Sequence, residues 1–196
     1  TYTCINCIRT LPYLKVWHEK YKDKGLVIVG VDTPEFAFEK EANNVERAIK
    51  DFGITYPVMQ DNNFATWNAY SNRYWPAKYL IDKNGKIRYT HFGEGNYDET
   101  EAFIQKLLNE AGAQITDKPN NEKYTINAST PEAYLGYERI QYLASPEPVS
   151  QDNKASYSLP TDLTFNTFGL SGPWTIGAEY AMPDANAELM FNFKAG

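Results

Sequence analysis

Cys4 and Cys7 are the only cysteines in a chain of 196 residues, and two residues separate them. Two thiols at that spacing can do one of three things. They can exchange electrons with a disulfide, hold part of a metal site, or close a small structural ring. In the redox reading, Cys4 stands at the start of a helix, where free N–H groups and the positive end of the dipole favour a thiolate. Cys7 follows one turn later and resolves the mixed disulfide that Cys4 forms. A structural zinc site normally takes four ligands, and the pair supplies two. The chain's histidines are His18 and His91. His18 would lie about three turns down the same helix, roughly 16 Å away, so only His91 could join them. A structural disulfide over so short a loop gains little from closure.

The elements that must position the pair follow from periodicity. Residues 5–23 read as a helix with Ile8, Leu11, Leu14 and Trp17 as an apolar stripe, kinked at Pro12 and closed by Lys24-Gly25. Leu26 to Val31 is a continuous apolar run, the pattern of a strand buried on both faces. A loop over 32–38 and a polar helix over 39–52 follow. Pro57-Val58-Met59 reads as a short strand, and Asp61-Asn62-Asn63 can cap a short helix ending near Tyr70. Two strands, 78–82 and 86–90, flank Asn84-Gly85, a hairpin signal. Residues 98–111 form an amphipathic helix with Phe103, Ile104, Leu107 and Leu108 on one face.

After Gly112 the texture changes. Residues 113–123 read as a linker containing Asp117-Lys118-Pro119-Asn120-Asn121, and 124–196 carry no helix pattern. Short apolar runs at 156–159, 162–168, 174–180 and 188–194 alternate with turns at Gly172-Pro173 and 183–186. That pattern predicts an all-β sandwich or jelly roll. Trp174, Tyr134, Tyr137 and Tyr180 could stack on a sugar or pack a sandwich core. Composition excludes other classes: the net charge of −6 argues against nucleic acid, and no apolar run of 18 residues exists to span a membrane.

Cys4-Ile5-Asn6-Cys7, Pro12, the strand LVIVGVD and Trp75-Pro76-Ala77-Lys78-Tyr79-Leu80-Ile81-Asp82 together resemble the thioredoxin superfamily, in its TlpA/ResA-like branch. The resemblance implies an α/β thioredoxin-like domain over 1–112, with a central mixed sheet flanked by helices. It implies a cis peptide bond before Pro76, facing the cysteines and pairing with an extended substrate. "TYTCINCIRTLPYL", "GVDTPEF", "TPEAYLGYERIQYLAS" and "LSGPWTIGAEY" are similar to the soluble region of DipZ-type proteins, in which a CcdA-like membrane domain precedes a thioredoxin-like domain and a carbohydrate-binding-module-like β-sandwich. On that pattern a strand before Cys4 and the last sandwich strands are absent, so the central sheet lacks an inner strand unless something else supplies it.

The resemblance implies an extracytoplasmic thiol–disulfide oxidoreductase, membrane-anchored in the full-length protein. It would reduce disulfides of exported proteins in the periplasm or cell envelope, in the context of cytochrome c biogenesis. It works without a cofactor beyond the Cys4–Cys7 couple and is recharged by a CcdA-type electron donor. Glu35 would move protons during exchange or stand as a solvated loop acid, and Trp75 would shield the disulfide and contact substrate or fill the core edge. Thr3 would shape access or pack, and Asn6, beside Ile5 in the slot between the cysteines, would tune the thiol potential. Two other classes stay open. One is a binding protein whose β-domain holds a glycan or a protein while the CxxC is structural. The other is a thiol peroxidase using Cys4.

Overall fold

The computed structural model describes residues 1–122 and 130–194. The expected junction at 123–124 lies outside the described residues. Two compact units, Thr1–Lys123 and Tyr124–Gly196, divide the chain.

In the first unit, helix α1 (Ile5–Tyr21) runs through Pro12 and continues as a short 3-10 turn, Lys22–Lys24. Gly25 ends it at φ 102°, a left-handed conformation that suits glycine. The buried face of α1 is Thr10, Tyr13, Trp17 and Tyr21, not the expected stripe Ile8, Leu11, Leu14, Trp17. A helix turns about 100° per residue. Steps of three therefore drift about 60° each, and three such steps carry the stripe halfway round. Steps of three, four and four hold one face, and Tyr13, Trp17 and Tyr21 occupy it.

Strand β1 (Gly30–Asp32) pairs in parallel with β2 (Val58–Gln60). Between them lie a 3-10 turn, Ala37–Lys40, and helix α2 (Ala42–Asp51). The apolar run before β1 is not buried on both faces as expected. Leu26 and Ile28 pack on the core, whereas Val27 and Val29 are 77% and 53% exposed. Burial on both faces needs a packed layer on each side, and α1 with its neighbours covers one.

Helix α3 (Ala65–Ala69) is anchored by Asp61, whose carboxylate accepts the N–H groups of Thr66 and Trp67 at 2.9 and 2.8 Å. Strands β3 (Ala77–Ile81) and β4 (Ile87–Phe92) form the expected hairpin, with Gly85 at φ 76° in its turn. Helix α4 (Tyr97–Glu110) then returns Ile104 and Leu108 to the core beside Tyr13, Trp17 and Tyr21, and Phe103 stacks on Tyr89. Glu101, 2% exposed, ties α4 to α1. Its carboxylate accepts from Lys20 at 2.7 Å, the Tyr21 hydroxyl at 2.5 Å and Asn121 at 2.8 Å. A buried carboxylate is tolerated only with such a full set of donors.

Among the described residues of the second unit, strands are the only regular elements. They are β5 (Lys154–Tyr157), β6 (Phe168–Ile176), β7 (Ala181–Pro183) and β8 (Glu188–Phe191). Strand β6 is the shared element: residues 168–171 pair with β8, 172–175 with β5 and 174–176 with β7, all antiparallel. Gly172-Pro173, expected as a break between strands, therefore lies inside β6, at the point where the partner changes. A side chain at Gly172 would put its Cβ 2.7 Å from the Asn186 carbonyl, at φ 77°, so only glycine fits there. Tyr157, Phe168, Leu170, Trp174 and Ile176 form this unit's core. Trp174 is thus a core residue, while Tyr180 is more than half exposed and the Tyr134 ring lies against Arg139.

Candidate active site

Cys4 is the N-cap of α1, with extended backbone (φ −70°, ψ 115°), and its carbonyl accepts the first helical bond from Ile8 N–H at 3.0 Å. No side chain caps the helix start, so the free N–H groups there face the Cys4 sulfur. Both cysteines are free thiols and half-buried. Cys7 donates its S–H to Cys4, and the N–H groups of Cys7 and Asn6 also point at it. Together these outweigh desolvation and lower the Cys4 thiol to about 6. The hydrogen bond given to Cys4 and burial both push Cys7 far up. One sulfur is therefore an accessible thiolate near neutral pH, and the other is a protonated, shielded thiol. Asymmetry of this kind is what an attacking and a resolving cysteine need.

The segment ahead of Cys4 is held by Glu39, which is fully buried. Its carboxylate accepts the Thr3 hydroxyl and the N–H groups of Glu35 and Phe36, at 2.6 and 3.0 Å for the last two. Burial pushes the Glu39 carboxyl up, but these hydrogen bonds bring it below the ordinary carboxylate value. Glu35, expected as the proton carrier, is half-buried in the same turn and gives its backbone N–H to Glu39. Asp32, at the end of β1, is 7% exposed, and burial raises its pKa. Its Oδ1 and the Cys7 sulfur lie 3.8 and 3.7 Å from one backbone nitrogen, that of Thr1.

The Trp75–Pro76 peptide bond is cis. Trp75 is fixed by its indole N–H on the Thr33 carbonyl at 3.1 Å and by contact with Trp67, ring centroids 4.2 Å apart. Thr33 in turn donates to Asp61 at 3.3 Å, so the β1 end, α3 and the Trp75-Pro76 turn form one connected network. The Pro76 carbonyl accepts Gly93 N–H at 2.7 Å, closing the far end of the hairpin. Of the residues between the cysteines, Ile5 is 49% exposed, and the Asn6 carbonyl accepts the Thr10 hydroxyl at 3.0 Å. His18 lies against the Tyr56 ring, and the His91 ring nitrogen meets the Glu94 carbonyl.

Glu39, Asp32 and Lys78 were not singled out from the sequence. Each is a charged residue beside or within an apolar stretch: FAFEK, VGVD and PAKYLI. That local mismatch was the available signal.

Glu39 has a pH signature. Its folded-state pKa is depressed, so its stabilisation is complete above the unfolded carboxylate value of about 4.3 and is lost as pH falls through the lower folded value. Glu39→Gln should cost about 1–3 kcal/mol at pH 7, because buried donors lose their charged acceptor. The variant should also lose less stability than wild type between pH 5 and pH 3. Urea unfolding at both ends of that range measures the difference, and equal losses in the two proteins would remove Glu39 from this role.

Comparison with known proteins places these features among relatives. The family model described as "Redoxin" matches residues 1–108, and that of the "Thioredoxin like C-terminal domain" matches residues 130–196. Protein DipZ of Mycobacterium bovis is 40% identical over 200 residues, which cover 99% of this chain and 29% of DipZ. The thiol-disulfide oxidoreductase ResA of Bacillus cereus is 30% identical over 104 residues, covering 53% of this chain and 57% of ResA. The chain spans less than a third of the length of the DipZ relative. Two solved structures share the fold of the first unit. A thioredoxin-like protein in the oxidized form has 27% identity and TM-score 0.50, over 55% of this chain and 72% of its own. A thioredoxin-like superfamily protein has 25% identity and TM-score 0.53, over 58% and 78%.

Proposed function

The chain belongs to the Redoxin family of the thioredoxin superfamily, in its TlpA/ResA-like branch, and on that footing we propose that it is a thiol–disulfide oxidoreductase that reduces disulfides of exported proteins. The observation that carries the reading is the Cys4 thiol at the α1 N-terminus, lowered to about 6 and hydrogen-bonded by a protonated Cys7. Cys4 thiolate attacks a substrate disulfide. A Cys4–substrate bond forms, and the substrate's other sulfur leaves as a thiolate and is protonated by solvent. Cys7 then attacks Cys4, a Cys4–Cys7 disulfide forms, and the second substrate sulfur leaves. Two electrons pass from the dithiol to the substrate. Thr3, Ile5, Asn6, Glu35, Trp75 and Pro76 border this exchange, and an extended substrate segment would lie along the Trp75-Pro76 turn.

The work would be done outside the cytoplasm, on a membrane-anchored full-length protein, with the dithiol restored by a CcdA-type membrane donor. Similarity to DipZ and ResA supports this. Among the described residues no helix is long and apolar enough to cross a membrane. The second unit would be a carbohydrate-binding-module-like β-sandwich holding a glycan, a reading supported by strands as its only regular elements among the described residues and by its own core.

The mechanism is tested with Cys7→Ala and a disulfide-bonded peptide. The variant should accumulate a Cys4–peptide mixed disulfide, visible by intact mass and released by dithiothreitol. Failure to accumulate any adduct would sink the exchange reading. Direction is tested by equilibration with glutathione. A nucleophilic thiol near 7 accompanies about −270 mV and one near 3.5 about −120 mV. A thiol near 6 therefore predicts about −230 mV, on the reducing side. A value near −120 mV would make the protein an oxidant.

A further inference from the structure

Lys78 is the second residue of β3 and is 7% exposed. A lysine in a strand ordinarily carries its ammonium to water, and a buried one normally has a carboxylate partner. Lys78 has neither. Its Nζ donates to the Gly93 carbonyl at 3.1 Å and lies 5.6 Å above the centroid of the Tyr97 ring. Among the described residues no carboxylate comes within ion-pairing distance of it.

The surroundings place this amine at the back of the redox pair. Gly93, which holds Nζ, gives its N–H to the carbonyl of Pro76. The next residue, Glu94, pairs at 3.6 Å with Arg9 of α1, two residues beyond Cys7. Tyr97, under the ammonium, is stacked on Tyr13 of α1 with ring centroids 3.4 Å apart. The ionisable groups whose charge acts on Lys78 are Cys7 from α1 and Glu94 from the loop after β4, with the Tyr97 ring of α4 beneath it. Behind these stand Arg9, neutralising Glu94, and His91, the cross-strand partner of Lys78 in the hairpin.

We propose that Lys78 is the proton acceptor and counter-ion of Cys7 in the resolving step. The inference rests on the thiol-exchange reading above. Cys7 is the sulfur that most needs help, because it must become a thiolate inside the protein after Cys4 is consumed in the mixed disulfide. The Lys78 amine takes the Cys7 S–H proton and becomes an ammonium facing the thiolate. The thiolate attacks Cys4, the Cys4–Cys7 bond forms, and the Cys4–substrate bond breaks. Its electron pair leaves on the substrate sulfur, and the ammonium returns the proton to that sulfur. Charge and atoms balance without an outside base. Burial is the main influence on the amine and pushes it down to about 8, with Cys7 and Glu94 opposing. An amine so placed can accept and return a proton near neutral pH.

Single-turnover reaction with a disulfide peptide, quenched and resolved by mass, gives the rates of mixed-disulfide formation and resolution separately. In Lys78→Met the ratio of resolution to formation should fall at least about tenfold at pH 7. The pH midpoint of resolution should move upward by a unit or more. An unchanged ratio and midpoint overturn the proposal while leaving thiol exchange intact. Absence of any mixed disulfide in wild type overturns the exchange reading and the proposal with it. A second measurement needs no lysine variant. The Lys78 side-chain resonance of wild type, titrated by NMR, should have a higher midpoint in the reduced chain than in the oxidised one, because only the reduced pair carries a negative charge, held on Cys4 and coupled to Cys7. Equal midpoints overturn the assignment.

Discussion

Serine in place of Cys4 should lower the rate of disulfide reduction at pH 7 by at least about a thousandfold, to the background of the assay. The Cys4 thiol is lowered to about 6, so at pH 7 about nine-tenths of it is the attacking thiolate. A serine hydroxyl at the same N-cap can accept the helix N–H groups but offers no anion near neutral pH and no sulfur to form the mixed disulfide. The fold should survive, since serine is a favoured N-cap, and unchanged thermal unfolding would verify that the loss is chemical. The assay is reduction of insulin or of a fluorescent disulfide peptide by the dithiol. Activity kept within tenfold of wild type would mean that Cys4 is not the nucleophile. In wild type, the alkylation rate of Cys4 should rise through pH 6 and level off above pH 7. In Cys7→Ala the midpoint should move up, because the Cys7 hydrogen bond is the largest influence holding it down.

Trp17→Ala should produce the largest loss of stability in the first unit, about 3–5 kcal/mol. The indole is 1% exposed, packs obliquely against Tyr13 and Tyr97, and donates its N–H to Asn121 at 3.1 Å. Alanine leaves a cavity between α1 and α4 that the rings cannot close, and Asn121 loses a donor. Net stability of a domain is about 5–15 kcal/mol, so the variant should unfold about 10–20 °C lower. Val27→Ala is the control: Val27 is 77% exposed, and its change should stay within about 0.5 kcal/mol. A Trp17→Ala loss under 1 kcal/mol, measured by urea unfolding, would mean that the α1–α4 core is not what holds the unit together.

The same helix shows where sequence reasoning works and where it stops. Its existence, its start at the cysteine pair and its end at Gly25 were legible, because caps, glycine and apolar content act over a turn or two. Its buried face was not. Aliphatic residues at steps of three looked like a stripe, while two tyrosines and a threonine carry the contact with Trp17. Tyrosine is ambiguous in a sequence, since its ring can be buried while its hydroxyl finds a partner, as Tyr21 does on Glu101. Strand β6 shows the same limit. Gly172-Pro173 usually breaks a strand, and here it marks a change of partner within one, which depends on where β5, β7 and β8 arrive.

What the sequence determined by itself is local. The CxxC spacing sets Cys4 at a helix cap with Cys7 one turn on. Asn84-Gly85 sets the hairpin, and Trp75-Pro76 marks the turn beside its first strand. Each follows from backbone preferences of a few neighbouring residues. The tertiary structure alone decided which charges lose their water. Glu39 is buried by contact with Thr3, 36 residues away, and Lys78 by Gly93 and Tyr97, 15 and 19 residues on. Desolvation depends on everything that surrounds a group in space, and those surroundings are assembled from distant parts of the chain. The thiols were therefore readable as a redox pair. The groups that would handle their protons became visible only once the helices and strands had closed over them.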